Sequence, residues 1–288
     1  QPDGVSTHSF AGDITGRWGS IGLAPSVHTL HGVSFTDGTP LWRKIISIVV
    51  EGFSGLVSKR MIAVSENDRK TVVRYLPFFS HKVVTIYNGV ALPPVVEKKL
   101  SEKIRLVFVG RMEAPKNPFV LIRALSRLSE DVQKKFSLTF IGDGSYGLRV
   151  KQMSSLLIPF VETEYLGLVS RDKVESTLEQ KDVLVFTSYW EGFPIAILEA
   201  MARGLVVISS NVGGISEMLD AKNGILLSKE NEEQSLADAL TVYATNPLLV
   251  FEQGKESRKK VEERFVLSVM TQKTFDVIDS IVAQKDHD

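Results

Sequence analysis

The sequence predicts an α/β protein of two doubly wound, parallel-sheet domains, the second complete and the first beginning partway through. Three observations carry this. Short apolar runs rich in Val, Ile and Phe alternate with helical patterns along most of the chain. The runs are apolar throughout, as strands of a parallel sheet covered on both faces are. The 288 residues are long for one domain and comfortable for two.

In the first part, "GVSTH" (4–8), "APSVHTL" (24–30), "MIAV" (61–64) and "KVVTI" (82–86) read as strands. Helical patterns fill 10–22, 39–58 and 66–75. "NGVALPPVVEKKLSEK" (88–103), with Gly, two Pro and a charge run, reads as a linker. A cleaner alternation follows. Its strands are "IRLVFVG" (104–110), "FSLTFIG" (136–142), "VETEYLG" (161–167), "DVLVFTS" (182–188), "LVVISS" (205–210) and "GILLS" (224–228). Helices are expected at 117–128, 146–156, 171–180 and 194–203, and only helical patterns remain after 230. The last of these, 265–282, sets Phe265, Val266, Val269, Met270, Phe275, Ile278 and Ile281 near helical spacing.

Composition narrows the function. Lys+Arg and Asp+Glu both number 34, so no global field argues for nucleic acid. Residues 1–100 hold 11 basic and 7 acidic residues, which makes the first part the basic half. With no cysteine, thiol nucleophiles, disulfides and Cys-ligated metals are excluded, which fits a cytoplasmic protein. No His/Asp/Glu spacing resembles a metal site. No apolar run reaches the roughly 18 residues a membrane span needs. The nearest, "IISIVVEGFSGLV" (45–57), is interrupted by Glu51. Over 40–60 this region is a basic amphipathic helix, with Trp42, Ile45, Ile46, Val49 and Phe53 along one face near Arg43 and Lys44. Such a face is expected to be the domain's own core; the other reading is contact with an anionic membrane surface.

Ligands of such sheets bind at the carboxyl ends of the strands, so the loops there are the candidates. "GRMEAPKNP" (110–118) places Arg111 and Lys116 at one strand mouth, where two cations suit a diphosphate. Two solvated surface cations are the plain alternative. Asn117 is expected to cap the next helix, with Pro118 in its first turn. "GDGSYG" (142–147) matches G-x-G-x-x-G but follows the second strand of its unit, so it reads as a Gly-rich turn that lets a ligand approach rather than a dinucleotide fingerprint. In "SYWEGFPIAILEAMARG" (188–204), Pro194 suits the first helical turn and Gly204 the residue past the end. Free N–H groups at 193–196 then form an anion site. Glu191 lies just before it, and Glu199 about one and a half turns in. Carboxylates accept from sugar or ribose hydroxyls, so this arrangement matches a sugar–diphosphate–ribose ligand; a surface Glu and an ion-paired helix Glu are the plain alternative. In "SSNVGGISE" (209–217), Gly213 and Gly214 again permit close approach. His8, His28 and His31 fall at two strand ends.

Taken together these stretches resemble the family 4 retaining glycosyltransferases of the GT-B fold. "EGFPIAILEA" is similar to their E-x7-E motif, "VGRMEAPKNP" to their GR…KG loop, and "FIGDGSYG" to their VGDGP turn. "YLGLV", "NVGGISEML…NGILL", "VHTLHGVSF" and "IAVSE…KVVTIYNGV" resemble further family segments in the same order. Asn117 stands where the family usually has Gly, and the family's first strand and Gly-rich loop are absent.

The resemblance implies two Rossmann-like domains facing a cleft. A partial acceptor-side domain would span 1–100, a nucleotide-sugar domain 101–264, and a helix over 265–288 would cross back to the first domain. Arg111 and Lys116, next to Gly110, would hold the donor diphosphate, beside the turn of Gly142 and Gly144. Val169 would sit by the base through its backbone. Glu199 would take the ribose hydroxyls, and Glu191 would contact the donor sugar near the reacting carbon. The backbone of Gly192, Phe193, Pro194, Ile195 and Ala196, with Gly213 and Gly214, would bind sugar or phosphate, and His31 would reach in from the first domain. The expected reaction is transfer of a sugar from a nucleoside diphosphate sugar to an acceptor hydroxyl, with retention and without cofactor or metal. Its expected setting is polysaccharide or glycolipid synthesis in the cytoplasm, peripherally at the inner face of the membrane, on a sugar or lipid-linked acceptor. The alternatives are a nucleotide-sugar 2-epimerase and a sugar-nucleotide-binding fragment without turnover.

Overall fold

The computed structural model describes residues 2–8, 15–33, 35, 39–96, 98 and 101–285. The chain divides into two compact units. One comprises Gln1–Gly89, Glu191–Phe193 and Leu267–Asp288; the other comprises Val90–Trp190 and Pro194–Val266.

The first unit is built on a parallel sheet of β1 (Val5–His8), β2 (Ser26–Leu30), β3 (Arg60–Ala63) and β4 (Val83–Thr85), neighbours in that order. Strand alternation divides its apolar residues between two layers. Leu30, Met61 and Ala63 pack on one side with Val33, Phe35, Val72 and Phe79. Val27 and Ile62 pack on the other with Ile86 and Ile281, where helix Leu267–Lys285 also lays Met270, Val277 and Ile278. Helix Glu66–Tyr75 starts at Ser65, whose hydroxyl accepts from the Asp68 N–H at 3.0 Å. Of the helix expected over 10–22, residues 10–14 lie outside the described residues and 15–19 are helical.

Helix Leu41–Val57 corrects one expectation. Its buried residues are Glu51, Ser54 and Gly55, not its apolar stripe. Glu51 is buried because it meets Arg17 at 2.9 Å, an arginine with no exposed surface. Gly55 is buried because the Phe79 ring lies where its β-carbon would be, at 2.9 Å. Trp42, Ile45, Ile46, Val49 and Phe53 are left exposed.

The second unit carries a six-stranded sheet, all parallel: β5 (Ile104–Val109), β6 (Phe136–Ile141), β7 (Glu162–Gly167), β8 (Val183–Phe186), β9 (Val206–Ser210) and β10 (Gly224–Leu227). The spatial order is β10-β9-β8-β5-β6-β7. Helices cover both faces, so Leu106, Val107, Val183, Leu184, Val206 and Val207 are all fully buried, which explains strands without polar alternation. The order reverses between β5 and β8. Their amino ends are pinned there: Asp182 accepts from the Arg105 backbone N–H at 2.9 Å and from its guanidinium at 2.8 and 2.6 Å. Their carboxyl ends are left to open into loops, at the position where doubly wound sheets bind ligands.

Candidate functional site

In the second unit, the loops after β5 and β8 are tied to each other. The Thr187 hydroxyl donates to the Asn117 carbonyl at 2.9 Å, and the Tyr189 N–H donates to the Pro115 carbonyl at 2.9 Å. Lys116 lays its ammonium over the Phe186 ring, 4.8 Å from the centroid, at the end of β8. Arg111 stays largely exposed and pairs with Glu113 at 3.0 Å. One loop thus carries two cations, braced from the neighbouring strand.

Asn117 adopts φ +43°, the only non-glycine residue with positive φ among those described, and its side chain makes no capping hydrogen bond. The cap expected there is not made. Asn tolerates the left-handed region better than other side chains, so it can hold this backbone angle. Pro118 does occupy the first turn of helix Pro118–Ser126.

The glycine turn after β6 serves its own backbone. Gly142, at φ +122°, would place a β-carbon 2.1 Å from the Gly110 carbonyl oxygen, and Gly144 would place one 2.7 Å from that of Met112. The Gly110 N–H donates to Ile141, the Met112 N–H to Asp143 and the Tyr146 N–H to Met112. These glycines therefore seat the Arg111 loop against its neighbour.

Helix Ile195–Ala202 begins one residue later than expected. Pro194 is its N-cap and has no N–H, so the helix offers the N–H groups of Ile195 and Ala196, while that of Ile197 bonds back to Pro194 at 3.2 Å. Gly204, φ +69°, follows its end. Glu199, about one turn in, is half-buried and meets Arg171 at 3.3 Å. Burial raises its pKa above the usual carboxylate value, against the lowering by Arg171 and Arg203. Val169 lies between Gly167, at φ +66°, and Ser170, which caps helix Arg171–Glu179. Gly213 (φ +55°) and Gly214 follow β9, with Gly214 as N-cap of helix Ile215–Met218.

In the first unit, His31 follows β2 and approaches His8 at the end of β1. Nδ1 of His8 and Nε2 of His31 are 3.0 Å apart, with the rings stacked at 5.2 Å. Burial and then the charge of His8 lower the His31 pKa. His28 stands apart inside the sheet, 2.8 Å from the Thr7 hydroxyl, its pKa pushed down to about 2 by burial, then by Arg17 and the other two histidines. It is a structural histidine. The segment Glu191–Phe193 groups with this unit. A β-carbon on Gly192 would lie 2.9 Å from Gly32 and 3.1 Å from the His31 carbonyl carbon. Glu191 is half-buried. Asn88 donates to the Phe193 carbonyl at 2.8 Å, and Tyr87 packs on the Phe193 ring at 5.1 Å.

Thr187, Arg171 and Asn88 are contributors the sequence reading did not single out. Only Asn88 carried a signal, in "YNGV". No group of three metal-ligating side chains occurs among the described residues. A cavity of about 610 Å³ lies at the opposite end of the second sheet, where Gly204 leads into β9, away from all these residues.

Two units of parallel α/β structure, one of them doubly wound with its candidate residues at the strand-order reversal, define a GT-B fold. The Anabaena protein HepE in complex with UDP and glucose superposes with a TM-score of 0.82 at 18% identity, covering 96% of this chain and 78% of that one. Sucrose-phosphate synthase from Thermosynechococcus elongatus gives 0.82 at 18%, covering 98% and 74%. The chain belongs to the glycosyl transferases group 1 family, whose model matches residues 94–264; the model of Glycosyltransferase Family 4 matches residues 1–92. It is 29% identical to the UDP-Gal:alpha-D-GlcNAc-diphosphoundecaprenol alpha-1,3-galactosyltransferase of Escherichia coli, over 98% of this chain and 76% of that protein. It is 26% identical to the O-antigen biosynthesis glycosyltransferase WbnH of Escherichia coli, over 78% of this chain and 61% of that protein.

Proposed function

We propose that the protein moves a sugar from a nucleoside diphosphate sugar to an acceptor hydroxyl with retention at the anomeric carbon, in polysaccharide or glycolipid synthesis on the cytoplasmic side of the membrane. The observation that carries this reading is the braced cationic loop of Arg111 and Lys116 at the strand-order reversal. It lies in the same unit as the open N–H groups of Ile195 and Ala196 and the half-buried carboxylate of Glu199. Two cations and two amide donors suit a diphosphate, and a carboxylate suits a ribose diol.

In this mechanism the leaving diphosphate gathers charge as the glycosidic bond breaks. Arg111 and Lys116 stabilise that charge. The departing oxygen accepts the proton of the acceptor hydroxyl as it attacks the same face of the sugar, so no covalent enzyme intermediate is formed. Glu191 holds donor-sugar hydroxyls, and His31 is a further candidate contact of the sugar. The chemistry uses no metal and no further cofactor. Because HepE binds UDP and the galactosyltransferase uses UDP-Gal, a uridine donor is the first to test.

Calorimetry with UDP and with uridine tests the binding half. Arg111→Ala or Lys116→Ala should weaken UDP by roughly 1.5–3 kcal/mol and leave uridine nearly unchanged. Equal losses for both ligands would remove the diphosphate role. The anomeric configuration of the product, read by NMR, tests retention.

A further inference from the structure

We propose that the cavity where Gly204 leads into β9 is a regulatory site, which binds a small organic anion with an apolar body and is felt at Glu199 through Arg203. The cavity, of about 610 Å³, lies wholly within the second unit. That volume suits a drug-sized molecule. Its walls come from the linker, from the end of helix Ile195–Ala202 and from one face of helix Pro247–Arg264. Along that face Leu248 and Phe251 come first, and Lys255, Arg258 and Lys259 follow at helical spacing. An apolar stretch thus runs into a cationic one. Val95 and Val96 of the linker add apolar wall, and they and Leu248 are each more than half exposed. The linker is held in place by Arg258, whose guanidinium donates to the Pro93 carbonyl at 2.9 Å.

Charge identifies the ligand. Five cations line the cavity, Lys98, Arg203, Lys255, Arg258 and Lys259, against two acids, Glu179 and Glu262. Glu262 is taken by Arg258 at 2.6 Å. Lys98, Lys255 and Lys259 have no carboxylate partner among the described residues. The Lys98 ammonium is part-buried on the Lys181 carbonyl, and burial holds its pKa down at about 8. A cation so placed gains from an anion beside it. A neutral apolar ligand would leave these ammonium groups unanswered. A bare inorganic anion would leave Val95, Val96 and Leu248 uncovered.

Arg203 joins this wall to the candidate nucleotide site. Helix Ile195–Ala202, roughly 12 Å long, offers its open N–H groups at one end and reaches the cavity at the other. The Arg203 side chain is only 7% exposed. It donates to the Glu199 backbone carbonyl at 3.1 Å and to the Glu175 carboxylate at 2.8 Å, and its Nε is buried without an acceptor. Glu175 in turn holds Arg171 at 2.9 Å, and Arg171 meets the Glu199 carboxylate at 3.3 Å. An anion in the cavity competes with Glu175 for the Arg203 guanidinium. Glu175 then takes Arg171 more fully, and the Glu199 carboxylate is released to ribose hydroxyls. This last step rests on the ribose role of Glu199; the anion site does not.

The test is calorimetry of the purified protein with naphthaleneacetate, with naphthaleneethanol, which lacks the charge, and with acetate, which lacks the apolar body. The first should bind about tenfold or more tightly than either of the others. Its affinity should fall about tenfold in Leu248→Asp, and several-fold in Lys255→Gln/Lys259→Gln. All three positions are exposed, so circular dichroism and melting of both variants should match the parent. Saturating naphthaleneacetate should tighten UDP several-fold, and UDP should tighten naphthaleneacetate by the same factor. Equal binding of the three ligands, or undiminished binding by both variants, overturns the site. Saturation that leaves UDP affinity unchanged overturns its regulatory role. A concentration-dependent oligomer that Leu248→Asp disperses also overturns the proposal, in favour of a second copy. Naphthaleneacetate binding is read without nucleotide, so a protein that takes it but not UDP keeps this site and refutes the transfer reading instead.

Discussion

Gly142→Ala is the sharpest probe of how the second unit builds its cationic loop. The added methyl would lie 2.1 Å from the Gly110 carbonyl oxygen and 2.9 Å from its carbon, so the two strand-end loops must part by about an ångström. The backbone at φ +122° is itself nearly closed to side chains. The strain costs about 1–3 kcal/mol and the overpacking about 1–3 kcal/mol, roughly 2–6 kcal/mol together. Gly204→Ala is the matched control. Its φ is +69° but its nearest neighbour is the Gly254 oxygen at 3.7 Å, so only the backbone term of about 1–2 kcal/mol applies. Both glycines lie in one unit, so urea unfolding followed by tryptophan fluorescence and circular dichroism compares them within one structure. UDP calorimetry then separates them by place. Gly142→Ala displaces the carbonyl next to Arg111 and should weaken UDP; Gly204→Ala, at the far end of the sheet, should not. If Gly142→Ala costs no more than Gly204→Ala, or binds UDP like the parent, the seating role assigned to these glycines is wrong.

Other expectations follow from single contacts. If Glu199 holds the ribose diol, it accepts from both hydroxyls only while ionised, and burial raises its pKa, so uridine affinity should decline as pH falls through that raised value, earlier than for an exposed glutamate; Glu199→Gln should lose this pH dependence, and a parent-like pH profile in that variant would exclude the role. Glu51→Ala should destabilise by about 3–5 kcal/mol because it removes the carboxylate that Arg17 meets in the core, whereas Arg17→Met/Glu51→Leu should be near neutral, as chemical denaturation would measure. Asn117→Ala should cost about 1 kcal/mol or more at φ +43° while Asn117→Gly is tolerated, and equal stability of the two variants would contradict the left-handed assignment.

Much of the molecule was legible because its signals are local. The expected strand over 136–142 is Phe136–Ile141, and the helix expected at 66–75 is Glu66–Tyr75. The misreadings arose where one local pattern serves two structures. Asn is favoured both as a helix cap and in the left-handed region, and only the backbone angle distinguishes them. Pro194 fits the first turn or the cap equally well by composition. The stripe of helix Leu41–Val57 shows which residues share a face, but periodicity does not say which face looks inward. That was decided by Arg17, thirty-four positions from Glu51, which no local pattern in "SIVVEGF" foretells. The ties from Thr187 to Asn117 and from Asn88 to Phe193 are likewise products of topology, invisible until the strands are placed.

The first unit is interrupted: its chain leaves at Gly89, returns for Glu191–Phe193 and resumes at Leu267. Val90 and Val266 form an isolated bridge, with the Val90 N–H on the Phe265 carbonyl at 2.9 Å. Synthesis from the amino end therefore releases Leu267–Lys285, the helix that covers Val27 and Ile62, after all the rest of both sheets. Closing a flexible loop of the 177 positions from Val90 to Val266 would cost far more entropy than closing a few residues. Once the second unit has folded, the bridge at its base has already made that closure, a saving of roughly 3–4 kcal/mol. By its chain path the earlier unit can take up its last helix only after the whole of the later unit has been synthesised.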